Sequence, residues 1–70
     1  MKAIINFYIV CFDRYLNLKV NMEDRKRAEN IMEHAYDTWH CEPEEAGDMC
    51  LEEYICECLK ESGIEFEEIN

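Results

Sequence analysis

The sequence predicts an α+β fold in the order ββααβ, a two-helix hairpin packed on one face of a small three-stranded sheet. Three observations carry this expectation. The chain opens on two stretches rich in apolar β-formers. Two amphipathic stripes at helical spacing follow, separated by a proline and a glycine, and a glycine then precedes a last alternating segment. At 70 residues the chain reads as a single domain, residues 1–70. A domain this small buries only about 60% of the surface its unfolded chain exposes, so its core is marginal without a staple or a partner.

Each element can be justified in turn. Ala3 to Phe12 is β-branched and aromatic on both alternating faces, which suits a strand covered on both sides or one with a face open to a partner. Asp13-Arg14 is the candidate turn. Leu16, Leu18 and Val20 alternate with Asn17 and Lys19, the pattern of a half-buried strand. Asn21 has N-cap chemistry, with Glu23 and Asp24 where the helix dipole favours acids. Ala28, Ile31, Met32, Ala35, Tyr36 and Trp39 then recur at three- and four-residue steps, predicting a helix from about Met22 to His40. Arg25 and Glu29 form a favourable i,i+4 pair along it.

Pro43 can open one helical turn and Gly47 can break it. Asp48 is the expected cap of a second helix, about Met49 to Ser62. Its inward stripe is Leu51, Tyr54, Ile55, Cys58 and Leu59, and its outward face carries Glu52, Glu53, Cys56, Glu57 and Lys60. Gly63 sits where a left-handed C-terminal residue belongs, with Ile64 placed to touch Leu59. Ile64 to Ile69 alternates as a final strand with Glu65 and Glu67 facing water. If strands two and three are neighbours, Lys19 can pair across with Glu65 or Glu67. The first strand, apolar on both faces, leaves a bare sheet face that a homodimer would cover.

Charge is the most lopsided property. The formal net charge is −10, yet residues 1–40 hold six acids against six bases, whereas residues 41–70 hold eleven acids against Lys60 alone. Such a field repels nucleic acid and anionic membrane and attracts basic surfaces. Lys2 followed by an apolar run looks like the start of a secretory leader, but Asp13-Arg14-Tyr15-Leu16 offers no small-x-small cleavage site. The run also falls short of the roughly 20 residues a membrane helix needs. A cytoplasmic protein is expected, and an odd count of five cysteines argues against a secreted disulfide framework.

Catalytic and metal signatures are weak. His40, Cys41, Cys50, Cys56 and Cys58 supply zinc-ligand chemistry but no C-x2-C pair, and on a helix Cys56 and Cys58 point about 160° apart. Cys56 lies among glutamates that raise a thiol's pKa, and Cys50 shares its helix N-terminus with Asp48. His34 belongs to a solvated face, and His40 suits a helix C-terminus. Glu42-Pro43-Glu44-Glu45 lacks the glycine and spacing of a calcium loop. No cofactor, metal site or enzymatic activity is expected.

The acids themselves are the sharper signal. Glu53, Glu57 and Glu61 stand at successive i,i+4 positions, each repelling the next by a few tenths of a kcal/mol. Glu52 to Glu61 place four acids along about 14 Å of helix, comparable with the charge density of a single nucleic-acid strand. The expected function is therefore a small non-enzymatic protein-binding module, in its concrete form an inhibitor that occupies the basic nucleic-acid-binding surface of a partner. Glu42, Glu44, Glu45, Glu52, Glu53, Glu57, Glu61, Glu65 and Glu67 would make the contacts. Small acidic proteins of phages and mobile elements that block CRISPR or restriction enzymes share this size and charge, although no motif carries a family assignment. The alternatives are a structural or assembly subunit that dimerises through its apolar N-terminal strand, and a small zinc or thiol protein. The leading reading needs the acids to gather on one face, free of arginines from the first half.

Overall fold

The computed structural model describes residues 1–47 and 49–69, with the side chains of Cys11 and Glu45 excepted. The architecture is α+β in the order ββααβ. Strand β1 (Lys2–Ile9) and strand β2 (Arg14–Asn21) form an antiparallel ribbon in register from Lys2 opposite Asn21 to Ile9 opposite Arg14. Strand β3 (Phe66–Glu68) pairs antiparallel with the other side of β2, so the sheet order is β1-β2-β3. Helices α1 (Arg25–Cys41) and α3 (Leu51–Glu61), linked through the single turn α2 (Pro43–Ala46), cover one face.

Alternation decides which face is covered. Ile5, Ile9, Leu16, Leu18 and Val20 point inward and are buried against Ala28, Met32 and Ala35 of α1 and Leu51, Ile55 and Leu59 of α3. Ile4, Tyr8 and Tyr15 point the other way and stay about half exposed. The inner set therefore supplies the hydrophobic stabilisation, at roughly 1.5–3 kcal/mol for each large side chain removed from water.

The boundaries differ from expectation for local reasons. Strand β1 stops at Ile9 rather than Phe12, because Val10–Phe12 wind into a 3-10 turn closed by Asp13 in the left-handed region at φ 50°. Asp is one of the few side chains that tolerates this conformation. The first helix begins as a 3-10 turn over Met22–Asp24. Asn21 occupies the expected cap position with extended backbone but makes no side-chain capping bond. Pro43 opens the short turn α2, and Gly47 leaves it at φ 64°. The expected cap Asp48 lies outside the described residues. The second long helix starts at Leu51, two residues later than expected, with Cys50 at the cap position. The Trp39 indole N–H donates to the Met49 carbonyl (3.1 Å), tying this connection to α1.

The C-terminus of α3 behaves as its sequence dictates. Gly63 adopts φ 76°; its N–H donates to the Lys60 carbonyl (3.0 Å) and the Ile64 N–H to the Leu59 carbonyl (3.1 Å). These are the two bonds of a Schellman motif, and Ile64 and Leu59 are both buried beside it. The reversal sends the chain back along β2. The final strand is shorter than Ile64 to Ile69, but it puts Glu67 opposite Lys19 in register.

Candidate functional site

Four acids of the second half, Glu52, Glu53, Glu57 and Glu61, lie on α3 itself and Glu68 returns beside it, and the helix has two different flanks. One faces β3: Glu52, Glu53, Cys56 and Lys60 line a groove completed by Phe66 and Glu68. Parity explains the last of these. Phe66 packs on the inner side opposite Val20, so Glu68, two residues on, shares its face while Glu67 is turned to the outer face of the sheet. The thiol of Cys56 registers this convergence: burial pushes its pKa up, the carboxylates of Glu68 and Glu52 add to the rise, and Lys60 opposes them. The direction matches the sequence reading, but burial rather than the neighbouring glutamates is the largest cause.

The other flank faces α1. Here Cys58, Glu61 and Ser62 meet Arg27, Ile31 and His34 across a groove. Burial raises the Cys58 pKa, Glu61 and Glu57 raise it further, and a hydrogen bond with Tyr54 works against them. Both thiols are thus held protonated at neutral pH, the opposite of what a nucleophile requires.

Two arginines from the first half reach the acidic helix. Arg14, at the start of β2, forms an ion pair with Glu52 and stands 5.7 Å from the centroid of the Phe12 ring. Arg27 donates to the Ser62 carbonyl at the end of α3, beside Glu61. Within the helix, Lys60 lies 3.7 Å from Glu57. Among the described residues, Glu53, Glu61 and Glu65 are exposed and make no ion pair.

The nine acids singled out in the sequence therefore separate by position. Glu53 is exposed on α3, Glu52 lies partly buried beside it on the β3 flank, Glu57 is partly exposed next to Lys60, and Glu65 borders a hollow next to Lys60 and Phe66. Glu61 sits on the α1 flank. Glu42 and Glu44 are exposed at the α1–α2 corner, lining a small hollow with Cys41 and Pro43; the side chain of Glu45 lies outside the described residues. Glu67 belongs to the opposite face of the sheet, across from Lys19. Glu68, outside those nine, joins the α3 groove instead; the apolar Phe66 two residues earlier was the signal for which way it would point.

Among the described residues, no three His, Cys, Asp or Glu side chains stand together in a way that holds a metal ion. Cys41 and Cys50 are exposed, and Cys56 and Cys58 lie on opposite flanks of α3. No helix among the described residues is long and apolar enough to cross a membrane. Comparison with protein-family models, with curated proteins and with solved structures found no match to this chain.

Proposed function

We propose that this chain is a small, non-enzymatic binding module whose acidic α3 surface engages a basic protein surface, in its concrete form as an inhibitor that occupies a partner's nucleic-acid site. It would act in the cytoplasm, where its thiols stay reduced, in the manner of the acidic proteins of phages and mobile elements. The single observation that supports this reading is the combination of the unpaired carboxylates of Glu53 and Glu61 with the return of β3, which sets Glu68 beside Glu52 and Glu53. A helix selected for stability alone would carry bases among these acids. The contact set is narrower than the full run of nine acids: Glu53, Glu57, Glu65 and Glu68 form its centre, Glu61 extends it toward α1, and Glu42 and Glu44 make an outlying corner. Glu52 is shared with Arg14, and Glu67 plays no part.

Reversing Glu53 and Glu57 to Lys tests this directly. The wild-type chain should capture basic proteins from a cell lysate at about 50 mM salt and release most of them by about 500 mM, as screening shortens the reach of its field. The Glu53→Lys/Glu57→Lys variant should capture none while keeping its circular-dichroism spectrum. Equal capture by both proteins overturns the reading.

A second reading is favoured by a different observation. Val10, Tyr15 and Ile4 are 67%, 55% and 51% exposed on or beside the uncovered face of the sheet. These residues suit a homodimer or a larger assembly built through the N-terminal strand, with the acids keeping the product soluble. Such association buries apolar surface and is insensitive to moderate salt, which separates it from electrostatic capture.

A further inference from the structure

The uncovered ribbon has a free edge as well as a free face, and the hydrogen-bond pattern shows which residues own it. Met22 donates its N–H to the Met1 carbonyl (3.1 Å), and Ile69 donates to Asn17 (3.1 Å). In an antiparallel ladder, hydrogen-bonded and non-hydrogen-bonded pairs alternate. Odd-numbered residues of β1 therefore direct their backbone groups at β2. Lys2, Ile4, Asn6 and Tyr8 turn theirs outward, and the same four residues carry the side chains of the outer face. Native sheets blunt such edges with prolines, bulges or rows of charge. β1 has an unbroken register, no proline, and Lys2 as its one charge.

We propose that two copies of this chain pair antiparallel through their β1 edges about a two-fold axis at Ile5, forming one six-stranded sheet. This gives the homodimer reading above a definite geometry and rests on it. The register follows from the edge itself. With Ile5 opposite Ile5, Lys2 stands opposite Tyr8 and Ile4 opposite Asn6, so every outward N–H and carbonyl of the four residues finds a partner. Moving the axis to Asn6 would set Lys2 against Val10, which has already left the strand for the 3-10 turn.

Side chains and charge favour the same occupant. Ile4 of one copy gains Ile4 and Tyr8 of the other as diagonal neighbours, and on the inner face Ala3 meets the half-buried Phe7. The Tyr8 hydroxyl donates to the Asp13 carboxylate, so each Lys2 ammonium comes up beside the other copy's Tyr8–Asp13 pair, twice by symmetry. Like charges stay apart. The sheet order puts β1 at the edge opposite β3, so the two β3 strands would be separated by five strand spacings, about 24 Å. That is about three screening lengths at physiological salt. A second copy therefore fits this edge despite a net charge of −10 on each.

Sedimentation equilibrium of the full chain at about 1–100 µM should return twice its 8.4 kDa mass. Asn6→Pro removes one outward N–H and no intramolecular bond, and it follows a residue that is already extended. This variant should be monomeric with an unchanged far-ultraviolet spectrum, whereas Asn6→Thr should remain dimeric. Should the proline variant lose its fold, amide exchange on the wild-type protein decides the question: Ile4, Asn6 and Tyr8 should gain at least tenfold protection as concentration rises. A wild-type monomer at 100 µM overturns both the dimer and its geometry. A dimer whose Ile4, Asn6 and Tyr8 amides exchange freely overturns the edge pairing alone and leaves the homodimer standing.

Discussion

Strand β2 is gripped very differently on its two sides. Toward β1 it pairs along its whole length, joined through a short turn, and the ribbon buries an apolar inner face while its outer face sets Ile4, Tyr8 and Tyr15 among asparagines and lysines. Toward β3 it pairs only from Val20 to Leu18, with a strand that arrives after both helices and consists of Phe66, Glu67 and Glu68. The ribbon side is built from local pairing and buried side chains. The β3 side is built from a helix cap, one half-buried aromatic ring and a field of carboxylates that repel one another. The contrast teaches that the two jobs a 70-residue chain must perform are divided: the first half supplies most of the sheet, while the second supplies the electrostatics and tolerates the repulsion because the core beneath α3 is sound.

The largest test of that division is in the ribbon. Leu18→Ala empties a fully buried position facing the helices and should lower unfolding free energy by about 2–5 kcal/mol in a urea titration. That is a large share of what so small a domain possesses. Phe66→Ala removes a ring that is only half-buried, and the loss should be smaller, about 1–2 kcal/mol. Equal losses at the two positions would break the comparison. Gly63→Ala comes next at about 1 kcal/mol: an added Cβ meets nothing within 4 Å, so the whole effect is the strain of holding alanine at a positive φ.

Arg14→Ala sharpens the electrostatic half. It breaks an exposed ion pair, and stability should change by less than about 1 kcal/mol. It also releases Glu52, so capture of basic proteins at low salt should strengthen; weaker capture would mean that Arg14 is itself a contact. The smallest effect concerns the thiols. Cys56 and Cys58 have raised pKa values in the folded state, so folding favours their protonated forms. That contribution is complete below the ordinary thiol value and fades as pH climbs through the higher folded values. Stability should therefore decline slightly above about pH 9. At neutral pH the exposed Cys41 and Cys50 should be alkylated before Cys56 and Cys58, as peptide mass spectrometry would report.

Much of this was legible beforehand because the patterns are local. The period of Ala28, Met32 and Ala35 and the glycine-isoleucine pair at Gly63-Ile64 each specify their structure within one or two turns of chain. What was not legible depends on distant partners. The shift of α3 to a start at Leu51 follows no strong cap in the described residues, and the early end of β1 depends on Asp13 accepting a left-handed backbone. At the candidate site, the α3 carboxylates were readable from i,i+4 spacing. The pairing of Glu52 with Arg14 was not, since it joins residues that meet only when the helices close over the sheet. Glu67 and Glu68 exchanged roles because parity within β3 depends on which residue packs against Val20.

The order of events in folding follows from where β3 sits. Closing the β1–β2 hairpin takes microseconds, whereas docking β3 on Val20 requires an intervening chain of about 45 residues to be organised first. The last strand should be the last to arrive and the first to fray. The carboxylate of Glu68 would then join Glu52 and Glu53 only when β3 docks, so a nascent chain not yet extended past Phe66 would carry the electrostatic surface in an unfinished form.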